Sequence, residues 1–215
     1  IEEINFIIGR FGKEVENELK QLAGEVGAKP LISYQDEALG TAHAVYCAKE
    51  SLEGNVIIAF SDTLFKANFK LPTEPDSIIW TKRVENPSSF GVVKKDNDNY
   101  VTGFYEKPSS FVSDEAIIGV YYFKKGEDLH DEIKYLLDND IRENSEYQLT
   151  DALENLRKKN NRITTSVVDQ WFDCGNKNAT VHTNREMLKY IDSENLKGKG
   201  IIKQNSIVIE PCYIG

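Results

Sequence analysis

The sequence is poor in the residues that build metal clusters and disulfide frameworks. Its three cysteines, Cys47, Cys174 and Cys212, lie far apart, and no CxxC pair occurs. An odd, dispersed set of thiols argues against a zinc site and a disulfide scaffold, and fits reduced cysteines in a cytoplasmic protein. The three histidines, His43, His130 and His182, are equally scattered, and no two share the i, i+4 spacing of a metal site on a helix. No basic cluster interrupts a formal net charge of −9, so DNA or RNA is repelled over most of the surface. A small anionic ligand is not excluded, because one metal ion or a few local cations offset that field. No signal peptide is evident, and no apolar run is long enough to span a bilayer. The chain starts at Ile1 and stops at Gly215 inside an apolar pattern, so both ends read as cut.

What is present suffices for a core. The 215 residues are 40% hydrophobic and 28% charged, enough for one globular domain with room for the start of a second. Ile4 to Ile8 reads as a buried strand. Residues 12 to 26 follow as a helix with Val15, Leu19, Leu22, Ala23 and Val26 on one face, ended by Gly27. Leu31 to Tyr34 is a second strand. Thr41 can cap a helix that turns Ala44, Val45, Ala48 and Leu52 inward, and Val56 to Phe60 is a further buried strand. This alternation predicts an α/β domain with a mixed, mostly parallel sheet flanked by helices. Ser77 to Arg83, Phe90 to Lys94, Tyr100 to Glu106 and Ala116 to Phe123 then read as strands, with a turn at Asp96–Asn99. Helices return at 126–139 and 148–159, Ile163 to Val168 is a late strand, and Asn176 caps a last helix through Ile191. Ile202, Val208 and Ile214 recur every six residues, the period of a parallel β-helix, although a stray strand explains two intervals equally well. The expected division is a core over residues 1–196 and the start of a β-helix, or a linker, over 197–215.

Several positions can carry chemistry. Asp62, in Ser61-Asp62-Thr63, follows a buried strand. Ligands of open α/β sheets collect beyond strand carboxyl ends, and a carboxylate there can hold Mg²⁺ together with substrate phosphates. Position alone is better explained by a turn or cap aspartate. Asp173 lies between Trp171-Phe172 and Gly175; it can be a second metal ligand or an N-cap, and both readings stand. Gly40 lets the backbone approach a flat ligand, and Gln35 offers both a donor and an acceptor to a nucleobase edge; a plain loop-to-helix junction explains the glycine as well. Glu106 can accept from sugar hydroxyls and Lys107 can meet a phosphate. Successive strand residues face opposite sides, so both reach one ligand only if the chain bends there.

The order and spacing of LGTAHAV, SDTLF, NPSSFGVV, FYEKP, SDEAIIGVYYF, EYQLTDAL and WFDCGN resemble the sugar-1-phosphate nucleotidyltransferases. Glucose-1-phosphate thymidylyltransferases and uridylyltransferases are the best-known members, and mannose-1-phosphate guanylyltransferases are related. The resemblance spans residues 3 to 190, and the tail resembles the beginning of a left-handed β-helix. It implies a Rossmann-like nucleotide-diphospho-sugar transferase fold. It also implies an enzyme in which a sugar 1-phosphate attacks the α-phosphorus of an NTP, dTTP or UTP, and pyrophosphate leaves. Asp62 and Asp173 become the catalytic Mg²⁺ ligands; Gln35, Gly40 and Thr41 fall to the nucleotide; Gly91, Glu106, Lys107, Ile118, Gly119 and Glu146 fall to a hexose 1-phosphate. The resemblance leaves room for a homo-oligomer and implies no nucleic-acid or membrane partner.

Three departures bear on activity. Ser61 stands where the family's GDxLF has glycine, and Asn176 follows Gly175 where the family has threonine. The family also opens with a strand and a glycine-rich loop bearing an arginine, then a lysine, which hold the triphosphate; the INFII strand here matches the family's second strand. The core is therefore expected to be truncated at its N-terminus and, by itself, nearly inactive, because losing one preorganised donor alone typically costs roughly 10²–10³ in rate. Without the first strand INFII and VIIAF have unpaired edges, so they are expected to pair directly, or another chain fills the gap, or the protein is longer than these 215 residues. The alternative function is a catalytically dead module that binds sugar nucleotides.

Overall fold

The computed structural model describes residues 1–67, 71 and 74–193. The chain opens with a βαβ unit. Strand β1 (Glu3–Ile8), helix α1 (Lys13–Glu25) and strand β2 (Lys29–Tyr34) follow one another, and β1 pairs with β2 in parallel from Glu3↔Lys29 to Ile8↔Tyr34. A parallel pair needs a long crossover, which α1 supplies. Gly27 ends the helix as expected, in a left-handed conformation at φ 75°. The predicted inward face of α1 is only partly realised. Ala23 is buried, whereas Leu22 and Val26 are 50% and 65% exposed. Two strands are too narrow a platform to cover the whole apolar stripe of a helix.

Helix α2 (Thr41–Tyr46) is shorter than predicted, and a 3₁₀ turn at Lys49–Ser51 continues it. Its cap residue is Gly40, not Thr41. Val45, Ala48 and Leu52 are buried as expected.

The main sheet comprises β3 (Val56–Ala59), β5 (Ser77–Arg83), β6 (Val92–Lys95), β7 (Val101–Tyr105), β8 (Glu115–Phe123) and β9 (Ile163–Val167). The path runs β7-β6-β8-β5-β9, and β3 pairs with the C-terminal half of β8, from Val120 to Phe123. Strand β8 is central and almost wholly buried, in keeping with its unbroken apolar run. The mostly parallel sheet expected from the sequence is corrected here. Only β5–β9 is parallel within this sheet, and its other ladders are antiparallel. The reason is connectivity: no helix separates β5, β6, β7 and β8, and connections without a crossover favour antiparallel neighbours. The Asp96–Asn99 turn joins β6 to β7, with the Asp96 carboxylate accepting the backbone N–H groups of Asp98 and Tyr100.

Helices α3 (Gly126–Asp138) and α4 (Leu149–Lys158) close one face. There Leu129, Ile133, Leu136, Leu149, Leu153 and Leu156 share a core with Ile79, Ile117, Tyr121 and Phe123. Alternate residues of the same strands, Ile78, Trp80, Ile118 and Val120, form a second cluster on the opposite face with Val168, Phe65 and Trp171. That face is covered by a ribbon absent from the sequence prediction, β4 (Thr63–Lys66) antiparallel to β10 (Gln170–Asp173). Helix α5 (Lys177–Ser193) follows. Asn176 caps it as predicted, its side-chain oxygen accepting the Ala179 N–H at 3.0 Å.

Among the described residues, β1 pairs only with β2 and β3 only with β8. The direct pairing of INFII with VIIAF does not form, and no described strand lies between them. The six-residue repeat of Ile202, Val208 and Ile214, and the boundary at residue 196, lie outside the described residues. No helix among the described residues is long and apolar enough to cross a membrane.

Candidate functional site

Asp62 follows β3 at its carboxyl end, and Asp173 ends β10. The ribbon brings them together. Asp173 is paired with Thr63 in the β4–β10 register, and the Asp62 carbonyl accepts the Cys174 N–H at 2.8 Å. Both carboxylates meet over Gly175. A Cβ on that glycine would stand 3.1 Å from Asp173 Oδ1 and 3.2 Å from Asp62 Oδ2, and its own N–H donates to Asp173 Oδ1 at 2.8 Å. On the far side of Asp173, Thr183 of α5 donates to its carbonyl at 2.6 Å. Gly175 therefore leaves space that a side chain would take from the two carboxylates. Among the described residues no group of three or more His, Cys, Asp or Glu forms a metal cluster. A pair of aspartates fits an ion such as Mg²⁺, which takes one or two carboxylates and completes its shell with water and phosphate oxygens.

Ile118 and Gly119 border this pair. Thr63 donates to the Ile118 carbonyl at 2.7 Å, and the Phe60 N–H donates to the Gly119 carbonyl at 2.9 Å. Gly119 has φ 81°, and a Cβ there would press on the Phe60 ring at 3.0 Å, so both conformation and space call for glycine.

A second group forms around Glu106, whose side chain is only 12% exposed. Its Oε2 lies 3.1 Å from the Cβ position of Gly91 and accepts a hydrogen bond from Thr150 at 3.1 Å. Lys107 follows with φ 37°. That bend, just after β7, is what the sequence reading required, and Lys107 Nζ sits 3.7 Å from Glu106 Oε1. Burial pushes the Glu106 carboxyl above the usual range and the nearby Glu143 charge adds to this, while Thr150 and Lys107 pull it down. Glu106 and Thr150 line a cavity of about 250 Å³ with Tyr105, Glu143, Asp151 and Glu154.

The third group is the 35–43 loop. Gln35 Nε2 donates to the Gly40 carbonyl at 3.2 Å and lies 3.1 Å from His43 Nδ1. The Gly40 carbonyl can only accept, so the amide nitrogen must face it, and His43 Nδ1 then accepts as well. Gly40 has φ 113°, and a Cβ there would fall 2.5 Å from the Tyr147 carbonyl oxygen. The junction reading thus accounts for this glycine, through packing on the 146–147 backbone. The side-chain oxygen of Thr41, expected at the nucleotide, accepts the Leu149 N–H at 2.9 Å, at the start of α4. Glu146 is exposed, with its Cβ 3.0 Å from the Cβ position of Gly40, and its carboxylate accepts from Gln148 at 3.0 Å.

Tyr121 of β8 was not singled out from the sequence. It is 4% exposed. Burial, together with the charges of Glu106 and Asp62, raises its phenol far above the ordinary value, so it stays neutral. A polar tip in the apolar run of β8 was the available signal. A larger cavity, about 620 Å³, opens at the opposite ends of β5 and β9, where Asp76, Lys124 and Asn161 line it with none of these residues.

The paired carboxylates, the bent Glu-Lys pair and the loop amide thus lie in an α/β domain of the kind whose ligands collect beyond the strand carboxyl ends. Comparison with known proteins narrows that class. Residues 1–190 match the family described as nucleotidyl transferase, and the chain belongs to that family. It is 30% identical over 180 residues to a bifunctional protein GlmU of Methanococcus aeolicus, covering 82% of this chain and 43% of that protein. It is 27% identical to a glucose-1-phosphate thymidylyltransferase of Streptomyces antibioticus, covering 100% of this chain and 60% of the relative. The chain thus spans about half the length of the curated relatives it matches. A solved nucleoside-diphosphate-sugar pyrophosphorylase from Vibrio cholerae RC9 superposes with a TM-score of 0.71 at 19% identity, over 85% of this chain and 81% of that one, which establishes the shared fold.

Proposed function

We propose that this chain is the core of a sugar-1-phosphate nucleotidyltransferase that joins an NTP, dTTP or UTP, to a hexose 1-phosphate. The convergence of Asp62 and Asp173 over Gly175 carries the reading. Those two carboxylates would hold Mg²⁺, which when bound supplies positive charge to neutralise phosphate oxygens. A phosphate oxygen of the sugar 1-phosphate forms a bond to the α-phosphorus, the bond between that phosphorus and the bridging oxygen breaks, and pyrophosphate departs. The protein's share is positioning and charge. Gln35 and Gly40 face the base. Gly91, Glu106, Ile118, Gly119 and, more peripherally, Glu146 take the sugar, with Glu106 accepting from its hydroxyls. Lys107, bent back beside Glu106, meets the sugar phosphate. The curated relatives' names, a GlmU and a thymidylyltransferase, support the substrate class.

Binding is the first readout, because residues 1–215 contain no glycine-rich loop with arginine and lysine of the kind the resemblance calls for. Titration calorimetry with UDP-glucose and dTDP-glucose in the presence of Mg²⁺ should show binding that D62N and D173N weaken. Pyrophosphate release by these residues alone should be negligible. Absence of binding to either nucleotide sugar at any Mg²⁺ concentration would end this reading.

A further inference from the structure

Thr150 is the second residue of α4 and 8% exposed. Its two branches are both committed. The methyl lies 3.2 Å from the Cβ position of Gly91, and the hydroxyl donates to Glu106 Oε2 at 3.1 Å. A β-branched side chain at a helix start has few rotamers, so packing on Gly91 aims the hydroxyl at Glu106. The other oxygen, Oε1, lies 3.7 Å from a cation, Lys107 Nζ.

We propose that Thr150 is a positioning residue: its hydroxyl fixes the buried Glu106 carboxylate in the orientation and charge state that accept sugar hydroxyls. This rests on the functional reading above and adds a residue to it. A protonated carboxyl loses part of its accepting capacity, and hydrogen bonds to an ionised acceptor are roughly twice as strong as neutral ones. The groups facing Glu106 are otherwise mostly acidic or neutral. Glu143, Asp151 and Glu154 line the same cavity, the buried Tyr121 feels its charge, and Lys107 is the neighbouring cation. Burial and Glu143 favour the protonated form; Thr150 and Lys107 oppose them. Removing the hydroxyl leaves Lys107 to act alone.

The test compares wild type, T150V and T150S by carboxyl-detected NMR titration of Glu106, and by calorimetry with UDP-glucose or dTDP-glucose between pH 5 and 8. In T150V the Glu106 midpoint should move up by about one pH unit. Nucleotide-sugar affinity should fall about tenfold at the acidic end and by less at pH 8. T150S should restore both. E143Q should move the midpoint the opposite way. Should T150V fail to fold, T150A makes the same comparison. A Glu106 midpoint unmoved in the variant lacking the hydroxyl, or a serine that restores neither property, overturns the proposal. The NMR arm needs no ligand, so a wild-type chain that binds no nucleotide sugar counts against the functional reading, while the Glu106 midpoint still decides the role of Thr150.

Discussion

The carboxylates of Asp62 and Asp173 share one glycine: Oδ2 of the first and Oδ1 of the second lie 3.2 and 3.1 Å from the point where Gly175 would carry a Cβ. A methyl there must push at least one of them aside. G175A should therefore weaken Mg²⁺-dependent nucleotide binding by roughly tenfold, the size of effect seen when support for metal ligands is disturbed. Calorimetry across a Mg²⁺ series checks this. Mg²⁺ dependence equal to wild type would show that the two carboxylates do not act on one ion.

The same pairing predicts non-additivity. D62N and D173N should each weaken Mn²⁺ binding, followed by electron paramagnetic resonance, by at least about tenfold. The double variant should fall little further than the weaker single, because residues that act as a unit are not additive. Two independent losses that multiply would separate the two aspartates.

Glu106 should cost stability above the pH at which it ionises. Burial raises its carboxyl in the folded chain, assisted by Glu143. The folded form thus holds its proton to higher pH than the unfolded form. The associated stability is fully present below the unfolded value and is lost as pH rises through the raised folded value. E106Q removes that loss and keeps an acceptor for Thr150. It should be about 1 kcal/mol more stable than wild type at pH 8, with a smaller gain at pH 4. Urea denaturation at the two values measures it, and sugar-nucleotide affinity should drop in the same variant.

Glu115 behaves in the opposite sense. It is 3% exposed. Burial pushes its carboxyl up, but hydrogen bonds from Lys95 and Thr81 outweigh this and hold it below the usual range. Its contribution is present above the unfolded value and is lost as pH falls through the lowered folded value. K95M leaves the buried carboxylate short of its cation and should cost roughly 3 kcal/mol at neutral pH. The acid transition of K95M should begin at higher pH than that of wild type, which circular dichroism during acid titration will reveal.

These cases also show where sequence stopped being informative. Strands β5 to β9 and helices α3 to α5 were legible because each has a clean apolar period and a turn or cap beside it, as with Asp96 and Asn176. Strand direction was not, since local pattern carries no record of which neighbour a strand chooses. The β4–β10 ribbon was missed because Thr63–Lys66 and Gln170–Asp173 are too short to show a period. That omission mattered most, for the ribbon is what joins Asp62 to Asp173. Thr41 reads as the cap of its own helix, whereas its hydroxyl oxygen accepts the Leu149 N–H in the first turn of α4; a hydrogen bond across that much chain leaves no local trace. Thr150 was invisible for the same reason, its partner being Glu106.

The hydrogen bond from the Leu149 N–H to Thr41 has one more consequence. It ties the loop carrying Gln35 and Gly40 to the residue directly before Thr150, and Thr150 holds Glu106. The 35–43 loop and the Glu106 pocket are thus linked through the start of α4 by two hydrogen bonds. Remodelling that loop is therefore expected to move the Glu106 carboxylate as well, so under the function proposed above a change at the base would carry over to the sugar.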